Sequence, residues 1–117
     1  MVVDLNSANA RFKAGDYVDA LEQYTFLLTQ PNATHSRNDG TCVHFVVYLN
    51  RSSCYYSSSM FDEAIKDAVQ AKSMCDTDMR VFSRLAMAYQ GAGDHEQAMA
   101  ACLEGLEQSP NYVGLQG

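Results

Sequence analysis

Apolar positions recur along the chain at helical spacing, in blocks separated by short polar turns. Val18, Leu21, Tyr24, Leu27 and Leu28 form one stripe; Ile65, Ala68, Val69 and Ala71 form another; Met99, Cys102, Leu103 and Leu106 form a third. Spacing of three and four residues places each set on one face of an amphipathic helix. Only the run Cys42–Tyr48, CVHFVVY, is locally strand-like. It leads straight into a helical segment, with Phe45 and Tyr48 expected just ahead of that helix, to pack or to face a groove. The stretch Gln30–Thr41, QPNATHSRNDGT, is rich in Pro, Asn, Asp and Gly and reads as a loop.

The blocks share one punctuation: a small residue, an aromatic three or four positions on, a turn, a bulky residue, then Ala. The copies are Ala8, Phe12, Gly15-Asp16-Tyr17 and Ala20; Ser52, Tyr55, Ser59-Met60-Phe61 and Ala64; and Ala86, Tyr89, Gly93-Asp94-His95 and Ala98. Ala64 and Ala98 are 34 residues apart, and Ala20 and Ala64 are 44 apart, one period plus ten. A fixed period of this size marks a stacked helical repeat. Small residues let two antiparallel helices approach, aromatics fill the gap, Gly takes the left-handed turn and Asp caps the next helix. His95 replaces the bulky residue of its turn and is expected to pack.

Composition narrows the function. The 117 residues are 47% hydrophobic and 19% charged, a folded composition sized for one domain. No apolar run approaches the ~20 residues of a membrane span, and the N-terminus lacks the basic and apolar regions of a signal peptide, so the expected compartment is the cytoplasm. Cys42, Cys54, Cys75 and Cys102 form neither CxxC nor a zinc spacing. No metal, no cofactor and no catalytic constellation is expected, and Ser57-Ser58-Ser59 reads as a helix end rather than a nucleophile turn. A net charge of -6 argues against nucleic acid as a partner. The sequons at Asn32 and Asn50 carry little weight without a secretory signal.

The segments ANARFKAGDYVDALEQY, YLNRSSCYYSSSMFDEAIKDA and FSRLAMAYQGAGDHEQAMAACLEGLEQSPNY resemble three successive tetratricopeptide repeats, over about residues 5–112. The resemblance implies an all-α chain: three helix-turn-helix repeats, about 1–30, 45–78 and 79–112, with an insertion at about 30–44. They would stack as a short right-handed superhelix forming a single domain. Members usually add a seventh, capping helix. Here only Val113–Gly117 follow Tyr112, so the cap is expected to be missing or truncated, exposing Met99, Leu103 or Leu106. Self-association through that face, or a longer and even enzymatic parent protein, would follow.

Within the family, one subclass resembles this chain further: co-chaperone domains that hold the C-terminal Glu-Glu-Val-Asp of the 70-kDa and 90-kDa heat-shock chaperones in a dicarboxylate clamp. Ala8-Asn9-Ala10-Arg11-Phe12-Lys13 is similar to the signature around the first clamp Asn, and Leu49-Asn50-Arg51-Ser52-Ser53 to that around the second. Arg80 and Arg84 match the basic pair of the fifth helix. The resemblance therefore implies a peptide-binding set of Asn9, Asn50, Arg80 and Arg84. The Lys that the family carries on its first helix falls at Leu5.

The residues support that set independently. Arg80 and Arg84 are four apart and share a helix face, with no acidic residue between Asp78 and Asp94. Arg presents a planar fork of donors to a carboxylate, and Asn adds neutral donors. Each also has a plainer reading. The arginines would be a solvated face, and Asn50, a poor helix former in mid-helix, would make a bond between helices. The alternative function is a scaffold of the same fold that reads an unrelated peptide or self-associates, with no chaperone role.

Overall fold

The computed structural model describes residues 3–31 and 42–108. These described residues form six helices: α1 (Leu5–Lys13), α2 (Tyr17–Leu28), α3 (Val43–Ser57), α4 (Phe61–Met74), α5 (Met79–Gly91) and α6 (His95–Gln108). Each packs antiparallel on the next in sequence, and α3 also contacts both α1 and α5. The odd-numbered helices thus line up as one layer and the even-numbered helices back them, an all-α helical repeat. The insertion expected at about 30–44 and the missing or truncated cap lie mainly or wholly outside the described residues.

One turn is built three times. After α1, the Asp16 N–H reaches the Arg11 carbonyl at 2.9 Å and the Gly15 N–H reaches Phe12 at 3.0 Å. After α3, Met60 reaches Tyr55 at 2.8 Å and Ser59 reaches Tyr56 at 3.0 Å; after α5, Asp94 reaches Tyr89 at 2.9 Å and Gly93 reaches Gln90 at 3.0 Å. These paired bonds absorb the last helix carbonyls. They require a left-handed residue, supplied by Gly15 and Gly93, both at φ 84°, and by Ser59 at φ 60°. Of the two turn aspartates, Asp94 caps its helix by accepting from the Gln97 N–H at 3.2 Å. Asp16 makes no such bond and instead lies 3.6 Å from Arg11.

Two apolar clusters hold the layers together. Ala8, Ala20, Tyr24, Leu27, Val47 and Cys54 join α1, α2 and α3, with Leu5 packed against them. Phe45, Leu49, Ala68, Ala71, Val81, Leu85 and Ala101 join α3 to α6. Alanines at the contacts permit close approach. Gly91 does the same between α4 and α5, where a side chain would run into the ring of Phe61.

Some local expectations change. The strand-like run after Cys42 is helical, so Phe45 and Tyr48 lie within α3; Phe45 is buried and Tyr48 half-buried. Helix formation wins because Phe45 and Val47 of the run, with Leu49 just after it, fill two different cores on either side of α3. Val18, placed on the buried stripe of α2, is 72% exposed, because Ala20 and Tyr24 turn inward instead. His95 is exposed at the start of α6 rather than packed. Met99 and Leu103 are exposed and Leu106 is half-buried.

Candidate functional site

The inner layer carries all four residues singled out in the sequence. Asn9 comes from α1, Asn50 from α3, and Arg80 and Arg84 from α5; all four are half-buried. Asn9 sits at the centre of a small polar relay. Its side-chain oxygen accepts from the Tyr24 hydroxyl at 2.5 Å and from the Asn50 amide at 3.0 Å. Tyr24 is fully buried on α2, so the relay pins α1 to both of its neighbours. Burial, reinforced by the neighbouring Cys54 thiol, pushes the Tyr24 phenol well above its ordinary range, and it remains a donor.

With its oxygen engaged, Asn9 has its amide nitrogen as the remaining donor. Asn50 uses one of its two amide hydrogens on Asn9 and keeps the other. Asn50 therefore makes the inter-helix bond that would by itself account for a mid-helix Asn, and that bond also fixes the direction of both amides. Leu5, one turn before Asn9, packs on the first apolar cluster, so α1 brings no cation to this position.

Arg80 and Arg84 are the only charged residues of α5. Arg80 is held by Asp78, the N-cap of its own helix. Nε donates to Oδ1 at 3.1 Å and Nη2 to Oδ2 at 2.7 Å, while Oδ1 also accepts the Arg80 backbone N–H at 2.9 Å. The guanidinium lies 5.7 Å from the centre of the buried Phe45 ring, a cation–π contact that ties it to α3. Hydrogen bonds thus join Asn9 to Asn50, and the Phe45 contact joins Arg80 to the same helix.

A second constellation escaped the sequence reading. Arg51 donates from Nε and Nη2 to the two oxygens of Asp67 at 2.7 and 2.8 Å, and from Nη1 to Thr25 at 3.1 Å. Its guanidinium also stands 5.7 Å from the Tyr48 ring and 5.5 Å from the Tyr55 ring. Burial pushes the Asp67 carboxyl up and the Arg51 fork opposes that, while the Asp67 hydrogen bond raises Arg51. The pair links α2, α3 and α4 and is structural. A signal was present: Asp67 occupies the buried face of α4 marked by Ala64, Ala68 and Ala71, where an acid needs a partner.

Comparisons with known proteins bear on this arrangement. A family model described as the tetratricopeptide repeat matches residues 80–112. The heat shock protein Sti1 homologue of Schizosaccharomyces pombe is 30% identical over 107 residues, covering 92% of this chain. Heat shock protein STI1 of Saccharomyces cerevisiae is 30% identical over 99 residues, covering 85%. The chain spans 16% and 15% of the length of these two relatives. Among solved structures, the second tetratricopeptide domain of human RPAP3, in complex with the HSP70 peptide SGPTIEEVD, superimposes with a TM-score of 0.78. That match has 24% identity and covers 95% of this chain and 84% of the other. Six helices among the described residues, three copies of one left-handed turn and the repeat match over α5 and α6 give this chain a tetratricopeptide-type helical repeat fold, and the Sti1 relatives make it similar to co-chaperone domains of that kind.

Proposed function

We propose that this domain is a co-chaperone adaptor module that binds the free acidic C-terminus of a heat-shock chaperone, with Asn9, Asn50, Arg80 and Arg84 as its clamp. The tetratricopeptide fold is a protein-interaction scaffold, and a groove between helices suits an extended peptide. The observation that carries the proposal is the Asn9–Asn50 bond across α1 and α3, next to a helix whose only charges are two arginines. The amides are pre-aimed, which lowers the ordering cost of binding. The arginines add the charge-assisted, two-pronged contacts a carboxylate accepts. Capture of a chain terminus in this way is a general recognition mode. The Sti1 relatives and the peptide bound by the RPAP3 domain point the same way.

Leu5 favours a second reading. Without a cation at the Leu5 position of α1, the groove could read an internal peptide through contacts that need no terminal carboxylate. Titration with a peptide ending in Glu-Glu-Val-Asp, beside the same peptide amidated at its C-terminus, separates the two. The clamp predicts binding of the free acid, weakened by salt, and a loss of about 2–4 kcal/mol in Arg84→Ala. Equal binding of both peptides supports the second reading, and binding of neither removes the chaperone role.

A further inference from the structure

The contact between Asp78 and Arg80 has a consequence for any acidic ligand, resting on the clamp reading above. A guanidinium fork that already grips a carboxylate has its best-aligned donors engaged. Asp78 meets Arg80 through both oxygens, at 3.1 and 2.7 Å, the geometry a ligand carboxylate would itself seek. The helix start anchors it separately, since Oδ1 accepts the Arg80 backbone N–H at 2.9 Å. The pair is within reach of a ligand, with the two side chains 39% and 22% exposed for Arg80 and Asp78. A ligand that uses this fork must therefore move Asp78 aside and then sit beside its negative charge.

We propose that Asp78 is an internal occupant of Arg80 that competes with the incoming carboxylate and so sets the affinity and stringency of the site for acidic termini. Asp78 is a specificity-determining residue that acts by subtraction. Only a ligand offering more contacts than one carboxylate, through Asn9, Asn50 and Arg84 as well, displaces it. An isolated acidic side chain gains too little to do so.

The test is a titration of the intact 117-residue chain with the free-acid Glu-Glu-Val-Asp peptide, comparing the wild type with Asp78→Asn, Asp78→Ser and Asp76→Asn. Asn and Ser both retain the N-cap, and a thermal melt of each variant verifies the fold. Asp76, exposed two residues earlier, removes the same charge without touching the Arg80 fork. Both Asp78 variants are expected to bind about 3- to 10-fold tighter, and Asp76→Asn to change affinity by less than about twofold. Equal gains from Asp76→Asn and Asp78→Asn would reduce the effect to net charge and overturn the proposal. Unchanged or weaker binding by the Asp78 variants, with carboxylate-dependent binding in the wild type, would overturn it and leave the clamp intact. Binding by the Asp78 variants alone would support both ideas, and binding by no variant would overturn both.

Discussion

At the scale of the residue, the three turns isolate one position where chemistry and backbone conflict. Ser59 takes the left-handed conformation that Gly15 and Gly93 take in the other two copies. A residue with a Cβ is disfavoured there by roughly 1–2 kcal/mol, while Gly loses about 0.5–1 kcal/mol more backbone entropy on folding. Ser59→Gly is therefore expected to stabilise the domain by about 0.5–1 kcal/mol, seen as a higher urea midpoint. A lower midpoint would mean that the side chain of Ser59 contributes more than its backbone costs. The Gly at two of these turns was legible in the sequence, and Ser59 was legible as the third turn only through the repeat period.

Cys54 supplies a prediction in pH. Its thiol is fully buried, donates to the Tyr17 carbonyl at 3.6 Å, and is pushed by burial from its ordinary value of 9.0 to about 11. A raised value means that the folded chain keeps the proton while the unfolded chain releases it. The stability from this group is complete below pH 9 and is lost as pH rises toward 11. Urea midpoints should fall across that window, and fall less steeply in Cys54→Ala. The same slope in both proteins would place the alkaline loss elsewhere. The raised Tyr24 phenol adds a loss of the same sign.

At the scale of the element, the helices were legible because each had to bury a stripe, and the stripes kept a 34-residue register broken only by the ten extra residues between the first two copies. Details that depend on neighbours were not. The CVHFVVY run satisfies strand preference locally, yet α3 is the helix that touches both cores. Val18 has the right spacing and the wrong face. The Arg51–Asp67 pair spans two elements, so no local pattern displays it. Its role is to hold α3 against α4, with Thr25 extending the hold to α2. The Asp67 side chain is only 6% exposed, and its removal would leave the Arg51 guanidinium half-desolvated without its main partner. Asp67→Ala is expected to cost about 3–5 kcal/mol in denaturant unfolding. A cost below about 1 kcal/mol would mean that the tyrosines and solvent suffice for Arg51.

At the scale of the whole molecule, three helix pairs present one residue each from α1 and α3, and two from α5, on a shared inner layer. The sequence made these four residues visible through repeat register and family likeness. It did not show what engages them. Tyr24 and Asn50 orient Asn9, and Asp78 occupies Arg80; both facts come from residues fifteen or more positions away or from a helix cap. In the proposed clamp, the amides of Asn9 and Asn50 are therefore oriented before a ligand arrives, while the Arg80 fork must first leave Asp78.

The most direct test of that account is NMR of the domain during addition of the free-acid Glu-Glu-Val-Asp peptide, following side-chain N–H signals. The account predicts that the amides of Asn9 and Asn50 and the Nε–H of Arg80 and Arg84 shift together, with one dissociation constant, while α2 residues such as Glu22 stay still. Shifts confined to the outer helices, or side-chain signals of the four residues that do not move as the peptide saturates the domain, would contradict it.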